Sequence, residues 1–274
     1  MACQQQFERI LNFRDVTSSV DQLLTPGLLY RSARLDGATQ HDQDSLREQY
    51  GIQTVIDLRS RTEHVEAQRK YSAALSPIPE VRYAAINLNG RGFERHLVWQ
   101  LSYLQLAKLA TYMALGWRVA GISILGRYVL QPRGLIGLAT DTLQHSGPEI
   151  KQVFEVLADR SSYPVLIHCT QGKDRTGLIV VLVLLLCGVS TDQITRDYMQ
   201  SEKELESEWE ERIEEISSIG LDESFARCPP DFVSSIVAFI EREYVDIQAY
   251  LGSIGVSQAQ MQVVRSILGQ GRVK

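Results

Sequence analysis

The sequence predicts an α/β protein in which a mostly parallel central sheet is covered by helices. Three observations carry that expectation. Four apolar runs of strand length, "GLLYRS" (27–32), "TVIDLRS" (54–60), "VRYAAINL" (81–88) and "PVLIHC" (164–169), are rich in β-branched or aromatic residues and bounded by Gly, Pro or Asn. Helical patterns lie between and after these runs, the order expected of a sheet with helices packed on it. The 274 residues, 44% hydrophobic and 22% charged, suffice for one domain with a full core.

Taken in order, the helices announce themselves by their starts. "SGPEIKQVFEVLADR" (146–160) opens with Ser146 as a cap, Pro148 in the first turn and Glu149 at the capping-box spacing. Its apolar residues Ile150, Val153, Phe154 and Leu157 fall on one helical face. Ser190 with Gln193, and Ser257 with Gln260, open two further helices in the same way. "SEKELESEWEERIEEI" (201–216) is densely acidic, yet Leu205, Trp209, Ile213 and Ile216 keep an apolar stripe, which reads as a docked helix with a solvated face. With no repeat and no linker, residues 1–274 form a single domain, and 90–145 read as a helical insertion on it.

Charge and special residues exclude several classes. A net charge of −5 argues against a nucleic-acid binder. Cys3, Cys169, Cys187 and Cys228 lack the spacing of a disulfide framework or zinc site, and His41, His64, His96 and His145 show no metal-ligand spacing. No metal or other cofactor is expected. The opening "MACQQQFERILNFRD" has no basic region followed by an apolar one, so a reducing cytoplasmic setting is expected.

Residues 96–130 depart from this picture. They are apolar nearly all round, broken only by Lys108, Arg118 and Arg127, without a window suited to a membrane span. Such a segment must be buried on two sides or turn one side to something apolar. Core helices, a roof over the active site, and peripheral membrane contact are the readings it leaves open.

The chemistry is concentrated in "HCTQGKDRTG" (168–177), between a strand and a helix. Backbone N–H groups of a tight loop can point inward together, and a helix start adds unpaired donors and a positive dipole end. Gly172 supplies conformational freedom, Gly177 allows close approach of the helix, and Arg175 offers a planar fork for two phosphate oxygens. Cys169 stands at the centre as nucleophile, Thr176 can donate to its sulfur, and His168 can order the loop. Free cysteine is mostly thiol at neutral pH, and helix ends and cations favour the reactive thiolate. Cys-x5-Arg also spans Cys3 to Arg9, but that copy has no strand, glycine or helix start around it. The loop also lacks the Walker-A spacing of nucleotide-triphosphate binders.

The stretch "HCTQGKDRTG" resembles the signature loop of cysteine-based protein tyrosine phosphatases, in the branch of bacterial secreted tyrosine/phosphoinositide phosphatases and their fungal relatives. "LNFRDV" (11–16), "GLLYRSARL" (27–35) and "TVIDLRSRTE" (54–63) extend the resemblance over most of the chain. It implies a tyrosine-phosphatase-like sheet, Cys169 as nucleophile, Arg175 as phosphate-binding arginine, Lys173 and Asp174 as substrate-facing loop residues, and a helical lid. His168, Thr170, Gln171, Gly172, Lys173, Thr176 and Arg59 are accordingly the phosphate- or substrate-binding candidates.

Phosphomonoester cleavage also needs an acid for the leaving oxygen. No Trp is followed by Pro-Asp, so two carboxylates remain. Asp57, ending the strand at "VIDLRS", is favoured as the acid, with Asp174 orienting substrate or sharing the proton work. Arg14, Arg31 and Arg59 either line the phosphate site or pair with Asp15, Asp57 and Glu63. The expected activity is a phosphocysteine-forming phosphatase acting on phosphotyrosine protein or a phosphoinositide. Alternatives are a soluble inositol phosphate, an apolar metabolite (di)phosphate, or a non-catalytic phosphate-binding module.

Overall fold

The computed structural model describes residues 7–20, 23–71 and 78–269, without the side chain of Arg118. Cys3, which begins the second Cys-x5-Arg spacing, lies outside the described residues. The sheet contains β1 (Arg14–Asp15), β2 (Leu29–Ser32), β3 (Thr54–Asp57), β4 (Arg82–Ala85) and β5 (Val165–His168) in the order β1-β2-β5-β3-β4. Only β1 runs antiparallel to its neighbour. Four of the strands are the expected runs; β1, two residues long, is too short to show a period. Register aligns Ser32, His168, Asp57 and Ala85 along one carboxyl edge, where α/β proteins build their sites.

The helices are α1 (Gln40–Asp44), α2 (Arg61–Lys70), α3 (Arg91–Trp99), α4 (Tyr103–Ala114), α5 (Arg118–Leu125), α6 (Gln131–His145), α7 (Gly147–Leu157), α8 (Asp174–Leu186), α9 (Thr191–Glu204), α10 (Trp209–Ser218), α11 (Phe232–Tyr244), α12 (Ile247–Ser253) and α13 (Gln258–Leu268). Strand residues alternate between two cores, as the pleat requires. Leu29, Ile56, Val165 and Ile167 face the helical core around α8, while Tyr30, Val55 and Leu166 face a smaller core with Phe7 and Phe13. Helix α8 is buried on every side: each residue from Thr176 to Leu186 except Leu185 is inside. A fully buried Leu, Ile or Val contributes roughly 1.5–3 kcal/mol, so this helix is firmly anchored and gives the loop before it a fixed end.

The capping expectations divide. Ser257 and Gln260 form a complete box. Ser190 meets Gln193 side chain to side chain at 3.3 Å, without capping the backbone. The box at Ser146 does not form, because Ser146 ends α6 and starts α7 at once. Its backbone (φ −113°, ψ 28°) is not the extended conformation an N-cap uses, and its hydroxyl is buried without a partner. Ser60 with Glu63 forms a further complete box at the start of α2. The acidic run docks as expected, with Leu205 and Ile216 buried and Trp209 and Ile213 packed beside Ile216.

The insertion runs from α3 into α6 around a small core of Phe93, Leu97, Leu101, Ile124 and Val129. Burial on two sides is not what its outer part has. Helix α4 buries none of its residues, because its inner side, at Leu109 and Tyr112, rests on this small core alone. No helix among the described residues is long and apolar enough to cross a membrane.

Candidate active site

Strand β5 brings His168 to the sheet edge and α8 begins at Asp174, leaving Cys169 to Lys173 as the loop between two fixed ends. Every carbonyl of that loop is engaged from outside. His168 Nδ1 lies 3.2 Å from the Cys169 oxygen, and the Arg34 N–H donates to Thr170. Asn12 Nδ2 donates to both Gln171 (3.0 Å) and Gly172 (3.1 Å), and Arg31 Nη2 donates to Gly172 at 2.7 Å. The Gly177 N–H holds the Lys173 carbonyl at 2.8 Å. In a trans peptide the N–H opposes the C=O, so carbonyls held outward turn the same peptides' N–H groups into the concavity. Gly172 takes φ 65°, and a β-carbon there would overlap the Ser32 carbonyl oxygen. Cys169 stands in the loop, only 3% exposed.

Arg175 closes the loop, and its fork is held by Glu63: Nη1 to Oε2 at 2.7 Å and Nη2 to Oε1 at 2.6 Å. The Thr170 hydroxyl donates to Glu63 Oε1 as well, and the Ser60 N–H and hydroxyl donate to Oε2. One carboxylate thus caps α2 and aims the loop arginine. Burial works against ionisation of Glu63, but Arg175, Thr170 and Ser60 outweigh it and hold the carboxyl well below its ordinary value. Burial likewise opposes the Arg175 cation, and Glu63 more than compensates. Glu63 is the site residue that sequence reasoning missed as a partner of Arg175, although the Ser60-x-x-Glu63 box was visible in the sequence.

A second layer supports the loop from beneath. Arg14 and Arg31 share the buried carboxylate of Asp197 on α9, Arg14 Nε donating at 2.8 Å. Arg14 also donates to Asn12 Oδ1, which orients that amide toward the loop carbonyls. Burial and the neighbouring Arg31 lower Arg14 to about 10, while burial of Asp197 is overcome by the two arginines, which hold its carboxyl low. Arg14 and Arg31 therefore pair with a carboxylate and brace the loop backbone instead of lining the phosphate space. Asp197 carried no spacing signal in the sequence.

Three sequence candidates sit differently from expectation. Asp57 is buried and its two oxygens face Arg59, with Nε at 3.0 Å and Nη2 at 2.8 Å. Burial raises its carboxyl, but His168 and Arg59 bring it down to about 2. His168 is itself buried and shifted downward, mainly by that burial, so at neutral pH Arg59 is the partner that counts. A carboxylate so held is a poor proton donor. Arg59 is occupied in turn by Asp57 and Asp36, the latter at 3.1 Å from Nη2, and has no edge free for phosphate. Lys173 is fully buried, and its ammonium donates to the Phe225 (3.0 Å) and Arg227 (2.6 Å) carbonyls. A buried ammonium must find acceptors, and residues 225–227 provide them at the back of the loop.

The remaining candidates gather at the cradle. Asp174 lies on the first turn of α8 with its side chain 35% exposed and Oδ1 3.2 Å from Lys173 Nζ, an ion-pair contact without hydrogen-bond alignment. Thr176 is buried and its hydroxyl has no hydrogen-bond partner. Gln171 contributes backbone, and Thr170 contributes backbone and the hydroxyl that donates to Glu63. Among the described residues, no group of three or more His, Cys, Asp or Glu is placed to hold a metal ion.

A thiol inside an N–H-lined loop, between a parallel strand and a buried helix, with an arginine at the loop's end, is the arrangement of the cysteine-based tyrosine phosphatase superfamily. The chain matches the tyrosine phosphatase family over residues 5–270, and it belongs to that family. It is 35% identical over 137 residues to a tyrosine-protein phosphatase of Nostoc commune, covering 47% of each chain. It is 28% identical over 120 residues to the triple specificity protein phosphatase PtpB of Mycobacterium tuberculosis, covering 38% of this chain and 44% of that one. The matched stretches span less than half the length of either relative. Among solved structures, the core catalytic domain of the PP-IP phosphatase SIW14 from S. cerevisiae in complex with citrate shows 14% identity and a TM-score of 0.35, over 77% of this chain and 96% of that one.

Proposed function

We propose that the protein hydrolyses phosphomonoesters through a phosphocysteine, with phosphotyrosine protein or a phosphoinositide as substrate class. The observation that carries this reading is the loop whose carbonyls are all held outward around Cys169. Its inward N–H groups, with the Nε edge of Arg175 that lies outside the pair with Glu63, suit the oxygens of a phosphoryl group. The Cys169 thiolate attacks phosphorus, the bond to the ester oxygen breaks, and the leaving oxygen takes a proton. Water then attacks the phosphocysteine, releasing inorganic phosphate and the free thiolate. Thr176, with its unpartnered hydroxyl, donates to the sulfur as it leaves.

The acid of this scheme is Asp174, which is partly open to solvent and, among the described residues, is not hydrogen-bonded to a guanidinium, whereas Asp57 is held by Arg59. The same carboxylate, having given its proton to the ester oxygen, accepts one from the attacking water. The thiolate chemistry uses no metal. Cys169, Cys187 and Cys228 are all unpaired thiols, which suits the reducing cytoplasm we assign to it.

Phosphate release should be measured side by side on phosphotyrosyl peptides, phosphoinositides, inositol polyphosphates and isoprenoid phosphates, with Cys169→Ser as the blank. Turnover on the first two classes, lost in the blank, supports the reading. Turnover confined to inositol polyphosphates or isoprenoid phosphates moves the substrate class. Phosphate-analogue binding without turnover on any of them makes the protein a binding module.

A further inference from the structure

The helical insertion leaves an apolar surface uncovered on a scale that isolated surface residues do not produce. Trp99 is 80% exposed, Tyr103 93%, Leu104 68% and Trp117 59%, and Leu115, Val119 and Tyr128 are exposed beside them in sequence. Such patches mark surfaces that meet another apolar phase. Charge says which one. From Arg95 to Thr140 the chain has five basic residues, Arg95, Lys108, Arg118, Arg127 and Arg133, and no Asp or Glu, although the whole protein carries −5; of the five, Arg133 is paired with Asp141 just past this stretch. Arg95, Lys108 and Arg127 are exposed, and among the described residues no carboxylate is paired with Lys108 or Arg127. Aromatic side chains, leucines and lysine or arginine exposed together along one helical stretch are the composition of a segment that lies in a bilayer interface.

We propose that residues 99–128, the α4–α5 hairpin with the end of α3 before it and the turn after it, form a docking element that lays its apolar, basic outer face on an anionic phospholipid bilayer. It binds at the surface, since no described helix is long enough to cross. The acidic helix α10, whose Glu210, Glu214 and Glu215 are exposed, is repelled by the same lipid, so the two charged regions together set one orientation. The hairpin connects to the catalytic loop through packed chain: Gly126 abuts the Ile219 carbonyl, and residues 225–227 hold Lys173. The proposal stands on surface chemistry and does not depend on the phosphatase reading.

Flotation of the full-length protein with two vesicle types tests it: phosphatidylcholine alone, and phosphatidylcholine with roughly a third phosphatidylserine. Binding is expected on the anionic vesicles, with a blue shift of tryptophan emission from Trp99 and Trp117 in a Trp209→Phe background. It should weaken as salt rises. Lys108→Glu with Arg127→Glu should lower partitioning about thirtyfold or more, from roughly 1 kcal/mol per basic residue near an anionic surface. Tyr103→Ser with Leu104→Ser should lower it about tenfold, while hydrolysis of a soluble aryl phosphate stays at the wild-type rate. All four positions are exposed, so these variants keep the fold. Absence of binding to anionic vesicles, or binding unchanged by both double variants, overturns the proposal. So does a wild-type dimer that Tyr103→Ser with Leu104→Ser makes monomeric without any vesicle binding, since the face then belongs to a second copy.

Discussion

Arg175 and Glu63 face each other as a two-pronged ion pair, with N–O distances of 2.7 and 2.6 Å, one residue at the start of α8 and the other at the start of α2. Two helix starts that flank the carboxyl edge of the sheet are thereby tied together across the loop. On the proposed mechanism the arginine would meet a bound phosphate only in the orientation this carboxylate permits.

Glu63→Gln should therefore weaken both the fold and the reaction. Losing one partner of a largely buried pair costs about 3 kcal/mol. A fork left free to turn should lower kcat/KM by about 10²-fold on an aryl phosphate. The sign of the pH dependence follows from the lowered carboxyl. A folded-state value below the ordinary 4.5 contributes stability that is complete above the unfolded value and lost as pH falls through the folded one. The gap in urea midpoint between wild type and variant should be constant above about pH 5 and narrow below about pH 4.

Asp57 and Asp174 should separate by kind of effect. Asp174→Asn should slow substrates with basic leaving groups by 10² or more, roughly the worth of a general acid, and slow nitrophenyl phosphate much less. Asp57→Asn should slow both alike and lower stability by about 2 kcal/mol, the linkage value of a carboxyl moved from 3.8 to about 2. That contribution is present above pH 3.8 and disappears as pH falls toward 2. A leaving-group-dependent loss in Asp57→Asn alone would return the acid to Asp57.

Gly172→Ala should disable the loop. The residue combines a positive φ of 65° with a β-carbon position already taken by the Ser32 carbonyl. The loop must shift, and with it the N–H groups, so kcat should fall more than about 10²-fold while the rest of the fold, read by far-UV circular dichroism, is retained.

Asn12→Ala removes the amide that holds two loop carbonyls, at 3.0 and 3.1 Å. The Gly172 carbonyl keeps Arg31, and the Gln171 carbonyl loses its donor; an acceptor left unpaired costs about 1–3 kcal/mol. The readout that distinguishes loop positioning from general stability is affinity for vanadate, which should fall in Asn12→Ala. Asn12→Asp places a carboxylate oxygen against those carbonyls and should be worse.

The parts of this protein that follow from local pattern were readable in the sequence. Strand runs and the buried helix after the loop show as continuous apolar stretches, and the acidic docked helix carries its own period. The orientation of charged side chains does not. Asp57 stands at the carboxyl edge as expected, but its neutraliser Arg59 is held on its other edge by Asp36, which arrives from a separate loop. Lys173 reads as facing substrate in the linear motif, and turns inward because carbonyls some fifty residues later accept its protons. The Ser146 box failed for a local reason invisible to spacing, since one residue there ends a helix and begins another. Helix α4 was legible as unusually apolar, but composition did not show that its outer side would stay uncovered.

The covalent step is tested most directly by quenching a single turnover of a radiolabelled aryl phosphate in acid and mapping the retained phosphoryl group. Label should appear on the peptide that contains Cys169 and nowhere else. It should be absent in Cys169→Ser and persist longer in Asp174→Asn, whose attacking water lacks its base. Release of phosphate at the wild-type rate by Cys169→Ser, or label on any other residue, would contradict a phosphocysteine mechanism.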